Sequence, residues 1–217
     1  MRRRGLLLLL VVFLLPSCGK KDDALPGSGV QTRKTRVVPA FKRLWIGGTL
    51  VARVNLGKDG PLELKGDDNL LDHVTSRVEN GVLKLDVDTK VHTRMPLEVD
   101  IATAELEAVS AVVAAKVDVR GLKAKTFEAK AGGAARIHAV GTAETLTVTA
   151  TGATEVDLTE LPAASATVRL EHAGTVRFGY LEKLDVEASG PSRVFYQGDP
   201  QIKQALRKPA RLIHGGP

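Results

Sequence analysis

The sequence is poor in cysteine and in aromatic side chains. Its 217 residues include one cysteine, Cys18, and aromatic side chains make up only 4%. A single cysteine excludes an internal disulfide, the common staple of secreted domains. Scarce aromatics leave Val, Leu and Ala to fill the core, which suits thin stacked sheets better than a bulky sandwich interior. Catalytic signatures are missing as well: there is no Gly-x-Ser-x-Gly and no Cys–His arrangement. The histidines His73, His92, His138, His172 and His214 do not pair at metal-ligand spacing. Asp67, Asp68 and Asn69 lack the twelve-residue loop and terminal Glu of an EF-hand, and they read as a turn with an Asx-type helix start. Gly132-Gly133 reads as a corner and not as a phosphate cradle. No cofactor and no metal are expected.

Charge of one sign is also in short supply. The formal net charge is +6, and Arg2, Arg3 and Arg4 belong to an N-terminal segment expected to be removed, which leaves about +3. That excess is too small to argue for a nucleic-acid partner.

The one long apolar run is Leu6 through Leu15, ten residues behind the basic start. This length fits the core of a secretion signal and falls short of the ~20 residues of a membrane span. Leu15-Pro16-Ser17-Cys18 follows and resembles the lipobox of bacterial lipoproteins, although Pro16 is an unusual occupant. The resemblance implies cleavage before Cys18, acylation of its thiol, and membrane attachment through lipid. Several acyl chains, at about 0.8 kcal/mol per buried methylene, anchor stably where one would not. The competing reading is an ordinary cleaved signal that releases a protein with a free thiol. Residues 18–36 are polar, with Pro, Gly and Ser, and are expected to form a lipidated Cys and a flexible linker. The expected organisation is thus a signal peptide at 1–17, this linker, and one domain over 37–217. The expected location is the cell envelope, on the periplasmic face or the surface of the outer membrane.

Within the domain a register of about 20 residues recurs five times. Val117, Ile137, Val156, Val176 and Val194 anchor it. Three further columns are apolar: Val119, Ala139, Leu158, Phe178 and Tyr196; Ala111, Ala131, Ala150, Leu170 and Ala188; and Val109, Ala129, Val148, Val168 and Val186. Polar residues alternate with them, as in Leu146-Thr-Val148-Thr-Ala150-Thr, and a period of two means strands with one buried face. Four residues before each anchor lies a turn position, occupied by Val113, Gly133, Gly152, His172 and Gly190. One such unit cannot bury its apolar side alone, whereas stacked units align the columns into a continuous core. The expected fold is all-β, a right-handed parallel β-helix or β-solenoid with coils of about 20 residues. An antiparallel β-sandwich is the alternative. Residues 37–96 are less regular. Val74–Val78, then Glu79-Asn80-Gly81, then Val82–Val87 predict a hairpin, and this region is expected to supply first coils or an end cap.

Several segments resemble a known bacterial family, the auto-transporter adhesin head or GIN domain. They are Phe41-Lys-Arg-Leu-Trp-Ile46, Gly66-Asp-Asp-Asn-Leu-Leu71, Val78-Glu-Asn-Gly-Val-Leu83, Leu97-Glu-Val-Asp-Ile101 and Val194-Phe-Tyr-Gln-Gly-Asp-Pro200. The similarity spans roughly residues 37–214 and implies a β-solenoid, often behind a signal peptide or lipobox. It brings no established catalytic residues. This sequence departs from the family at Val113 and His172, where Gly is typical, which bears on the sharpness of those two turns.

The predicted function is a lipid-anchored, non-catalytic binding, adhesion or structural module of the envelope. Its partner would be a glycan or an envelope protein. Two other readings are a polysaccharide-active β-helix enzyme and an envelope sensor or assembly factor. Lys116, Asp118, Arg136, Asp157 and Arg177 fall on outward columns and predict a charged ladder. Thr147, Thr149 and Thr151 mark a polar lateral face. Phe195, expected to point outward with Arg177 and Arg193 beside it, is the foremost contact candidate; packing under residues 201–214 is its competing fate.

Overall fold

The computed structural model describes residues 24–215, so the signal segment and Cys18 lie outside the described residues. The chain winds as a β-solenoid of parallel coils of about 20 residues, each with one arm in a front sheet and one in a back sheet. The anchor residues lie in direct register: Val117 opposite Ile137, Ile137 opposite Val156, Val156 opposite Val176, and Val176 opposite Val194. All five are buried. In the back sheet Ala111, Ala131, Ala150, Leu170 and Ala188 stack in the same way. Alternate residues therefore face a single narrow core between the sheets, and the antiparallel sandwich does not form.

Long strands bend from one sheet into the next. Lys116–Gly133 begins in the front sheet and ends in the back sheet, with its register shifting between Arg120 and Leu122. Arg136–Gly152 repeats the path. The corner needs glycine in the second of these strands, because a Cβ at Gly141 would lie 2.1 Å from the Leu122 carbonyl oxygen of the coil beneath.

The opposite corner is the tight turn predicted from sequence. Gly133, Gly152 and Gly190 have φ of 73°, 101° and 71°, and Gly48 adds an earlier member at 65°. Val113 and His172 adopt the same left-handed conformation at 67° and 71°. Both turns are as sharp as the glycine turns. The coil spacing imposes the conformation, and the two side chains point to solvent and carry the local strain.

The N-terminal part departs from simple winding. Arg43–Ile46 and Val51–Leu56 form a regular coil, pairing with Ala108–Ala111 and Lys116–Gly133 on one side. The chain then leaves, travels past this coil, and returns on its other side: Val82–Val87 pairs with Arg43–Ile46, and Glu98–Thr103 pairs with Val51–Leu56. Beyond them Leu62–Asp67 and Val74–Glu79 pair antiparallel and close the end. The predicted hairpin is present, with Asn80 and Gly81 at φ of 52° and 72°.

The linker expectation through residue 36 needs correction for its described part. Gln31–Arg36 is a strand, antiparallel to Leu62–Asp67, and Leu25–Pro26 pairs with Val91–His92. The polar sequence hid this strand because it covers an edge and buries no full face. The Asx helix start is also corrected: the 3₁₀ turn that follows, Leu71–His73, has no side-chain cap. Asp67 instead accepts from the Gly29 N–H at 2.8 Å and from the Thr93 hydroxyl, and Asn69 donates to the Pro26 carbonyl at 2.9 Å. These groups strap residues 26–30 to the cap.

Candidate functional site

The front sheet presents its outward side chains in two columns two residues apart along each strand, with successive members of a column one strand spacing apart. One runs Val51, Lys116, Arg136, Glu155, Thr175, Arg193 and Arg211. The other runs Arg53, Asp118, His138, Asp157, Arg177, Phe195 and Ile213. A shallow groove of about 380 Å³ crosses their middle, bordered by Lys116, Asp118, Arg136, His138, Glu155 and Asp157.

The predicted ladder exists with different partners. Arg177 Nη1 donates to Glu155 Oε1 at 2.7 Å, and Arg136 Nε donates to Glu155 Oε2 at 3.2 Å. Asp118 accepts from Arg120 at 2.8 Å and contacts His138 Nδ1 at 3.1 Å. Asp157 turns away from Arg177 and accepts from the Thr159 hydroxyl at 2.7 Å. Glu160, not singled out from sequence, lies 3.7 Å from His138 Nε2. It reaches the ladder from the corner after Leu158, and no alternation marks such a position.

These contacts fix the carboxylates in the ionised form. The hydrogen bond from Arg177, with Arg136 behind it, holds Glu155 below the usual glutamate range despite partial burial. Partial burial pushes Asp118 upward, but its hydrogen bonds with Arg120 and His138 outweigh this, and the net shift is downward. Exposed pairs of this kind contribute under about 1 kcal/mol each, so they order the surface more than they stabilise the fold.

Phe195 points outward as expected and is half-buried. The Arg177 guanidinium carbon sits 5.6 Å from its ring centroid, and Ile213 flanks it from the final strand. Both anticipated fates are thus partly realised. Arg193 is exposed, opposite Arg211 on the neighbouring strand, and neither has an acidic partner among the described residues. The structure therefore brings Arg177 and Phe195 into contact and places Arg193 beside them. Phe178 is fully buried, while Tyr196 is partly buried and lies 5.1 Å from the His214 ring. The Thr147, Thr149 and Thr151 face lies on the back sheet, between the Lys130–Glu128 pair and Arg169, which pairs with Glu187.

The fold and this surface define a short β-solenoid with an ordered, ion-paired sheet face. A family model described as "Putative auto-transporter adhesin, head GIN domain" matches residues 40–200, and the chain belongs to that family. Among curated proteins none matches. A "putative adhesin" from Bacteroides fragilis is similar in structure, with a TM-score of 0.64 at 16% identity, covering 88% of this chain and 98% of its own. A "putative adhesin" from Parabacteroides merdae gives 0.59 at 15%, covering 89% and 100%. A "Putative lipid binding protein" from Parabacteroides distasonis gives 0.53 at 14%, also covering 89% and 100%. At these identities the likeness concerns the fold.

Proposed function

We propose that the protein is a lipid-anchored, non-catalytic binding module of the cell envelope, and that it holds its partner on the front sheet around Arg177, Arg193 and Phe195. The observation that carries this reading is the geometry of that face, where Arg177 is held by Glu155 at 2.7 Å and lies 5.6 Å from the Phe195 ring with Arg193 exposed beside them. Asp118 and Glu155 are both shifted downward, the reverse of the raised carboxyl that a general acid needs near neutral pH. A flat array of fixed charges, ending in an arginine–aromatic contact, suits recognition of a polar polymer such as an envelope glycan. Membership of an adhesin family agrees with an envelope or surface role. The apolar run and Leu15-Pro16-Ser17-Cys18 support the anchor.

Two experiments test the two parts. A Cys18→Ala variant is expected to leave the membrane fraction and to lose palmitate labelling; unchanged fractionation would remove the anchor from the proposal. On a glycan array and in pull-down from envelope fractions, the Arg177→Ala/Arg193→Ala/Phe195→Ala triple variant is expected to lose most retained material while its thermal unfolding stays cooperative. Equal retention by wild type and variant would move the contact away from this face.

A further inference from the structure

The two ends of the solenoid are finished differently. At the N-terminal end antiparallel strands and Leu70 and Leu71, both fully buried, seal the core. At the other end the last coil consists of Gln201–Leu206 in the back sheet and Arg211–His214 in the front sheet, each paired on one side only among the described residues. Ile202 stands in the inward column above Leu184, yet it is 39% exposed, and Leu206 and Leu212 are only partly covered.

The backbone of this coil is also half-used. Arg207 N–H donates to Ala188 and Arg211 N–H to Ser192. In a parallel ladder alternate residues turn their N–H and C=O groups to opposite sides. Ile202, Gln204 and Leu206, and then Leu212 and His214, therefore direct theirs off the end of the stack. Such an edge is a template for one more strand. The end coil is itself predominantly positive, with Glu187 of the coil beneath beside Arg207: from residue 191 onward the sequence holds Arg193, Lys203, Arg207, Lys208 and Arg211 against the single acid Asp199. Among the described residues only Lys203 of these cations reaches a carboxylate, Asp185 at 3.6 Å.

We propose that this end is a docking edge for an extended acidic peptide segment of another envelope protein, which adds as a further rung. Free N–H and C=O groups call for a backbone partner, and the surrounding cations select an acidic one. A second copy of this chain would bring its own cations against these, and like charges facing each other across strands repel. The hydrocarbon core of a bilayer offers nothing to satisfy the edge groups. This end is distinct from the front-sheet surface, and the inference depends neither on glycan binding nor on the lipid anchor.

The test uses the full chain and a fluorescent eight-residue peptide alternating glutamate with valine and threonine, read by anisotropy. Binding is expected for this peptide, weakening with added salt. It should fall at least tenfold for the lysine counterpart and for a glutamate peptide with proline at alternate backbone positions. Gln204→Pro removes an N–H that faces off the stack, so all ladder bonds of the fold survive. This variant, and a Lys203→Glu/Arg207→Glu/Lys208→Glu variant, should each lose at least tenfold in affinity with an unchanged unfolding temperature. Equal binding of the proline-interrupted peptide would overturn the proposal, since charge alone would then suffice. So would full affinity in Gln204→Pro, tighter binding of dextran sulfate or anionic phosphatidylglycerol vesicles than of the peptide, or a concentration-dependent dimer abolished by Gln204→Pro.

Discussion

The N-terminal end of the stack is built from charges that meet and a core that is closed; the C-terminal end is neither. Near the start, Lys34 pairs with Asp72 at 2.5 Å, Arg53 with Glu98 at 2.6 Å, and Arg36 reaches the Leu71 carbonyl at 2.8 Å and the Ser76 hydroxyl at 3.2 Å. Near the finish, Arg193 and Arg211 face each other, and neither pairs with an acid among the described residues. The same repeat runs between these two ends, so the repeat itself does not dictate how an end is treated. The cap comes from residues that abandon the winding rule. The chain makes one coil at 43–56, then spends residues 57–103 building two layers behind it. The teaching of the contrast is that a solenoid edge is a default that must be covered deliberately.

The largest expected effect separates the ends by stability. Leu71 is fully buried under the cap, whereas Ile202 is 39% exposed at the open end. Leu71→Ala should destabilise the protein by about 2–5 kcal/mol, from lost transfer energy and the cavity left behind. Ile202→Ala should cost less, about 1–2 kcal/mol, because more than a third of that residue stays in water and its loss leaves no closed cavity. Urea unfolding of the two variants measures the difference. Equal losses would mean that the C-terminal coil is covered as well as the N-terminal one, and the contrast would vanish.

A smaller effect of opposite sign concerns the column just before each front arm. It reads Ala115, Ala135, Thr154, Gly174 and Ser192 along the stack, each accepting the next coil's N–H on its carbonyl. The early coils place alanine there, while Thr154 Oγ1 and Ser192 Oγ are buried with no hydrogen-bond partner. A buried unsatisfied hydroxyl costs on the order of 1–3 kcal/mol. Ser192→Ala removes only that oxygen, so it should raise stability by about 1 kcal/mol and the unfolding temperature by roughly 2–4 °C for a chain of this size. A drop in unfolding temperature on calorimetry would show that the hydroxyl is satisfied, and that the later coils are no poorer than the early ones.

What could be read from the sequence follows the same division. From Val109 to Val194 the coils follow one another along the chain, so stacked positions recur at a nearly fixed interval and the core columns are legible. The columns continue below Val117 to Ala52 and below Val109 to Leu44. Those partners are hidden because 57–107 intervenes, and a periodicity search sees only neighbours in sequence. At the site, outward positions were legible from alternation, which is why Arg177, Arg193 and Phe195 fall on the front face. Their partners were not. Asp157 lies directly opposite Arg177 and Glu155 diagonally from it on the adjacent column, yet Arg177 takes Glu155, a choice of side-chain reach that spacing does not reveal. The edge strand at 31–36 was illegible for a different reason: it is held by backbone pairing and arginine contacts, and no burial pattern of apolar residues announces it.

Acid provides the finest probe of the contrast, because carboxylates with lowered pKa lie in the cap and the middle of the stack. Lys34 lowers Asp72, and Lys84 lowers Glu79; Arg177 lowers Glu155. Each group has a folded-state pKa below its unfolded value. The stabilisation it provides is therefore present above the unfolded carboxylate range, about pH 4, and is lost as pH falls through the folded value. The three are exposed to different degrees and solvent screens them, so the loss per pair is small. At the open end the one ion pair formed by the last coil's cations among the described residues is Lys203 with Asp185, so its ladders gain little from ionised acids and lose little when these protonate. Amide exchange compared at pH 6 and pH 3, corrected for intrinsic rates, should show protection falling in Gln31–Arg36 and Val74–Glu79 by more than in Arg193–Gln197 and Arg211–His214. A larger loss at the C-terminal strands would mean that carboxylates hold that end too, and that its cations are not free to meet a partner.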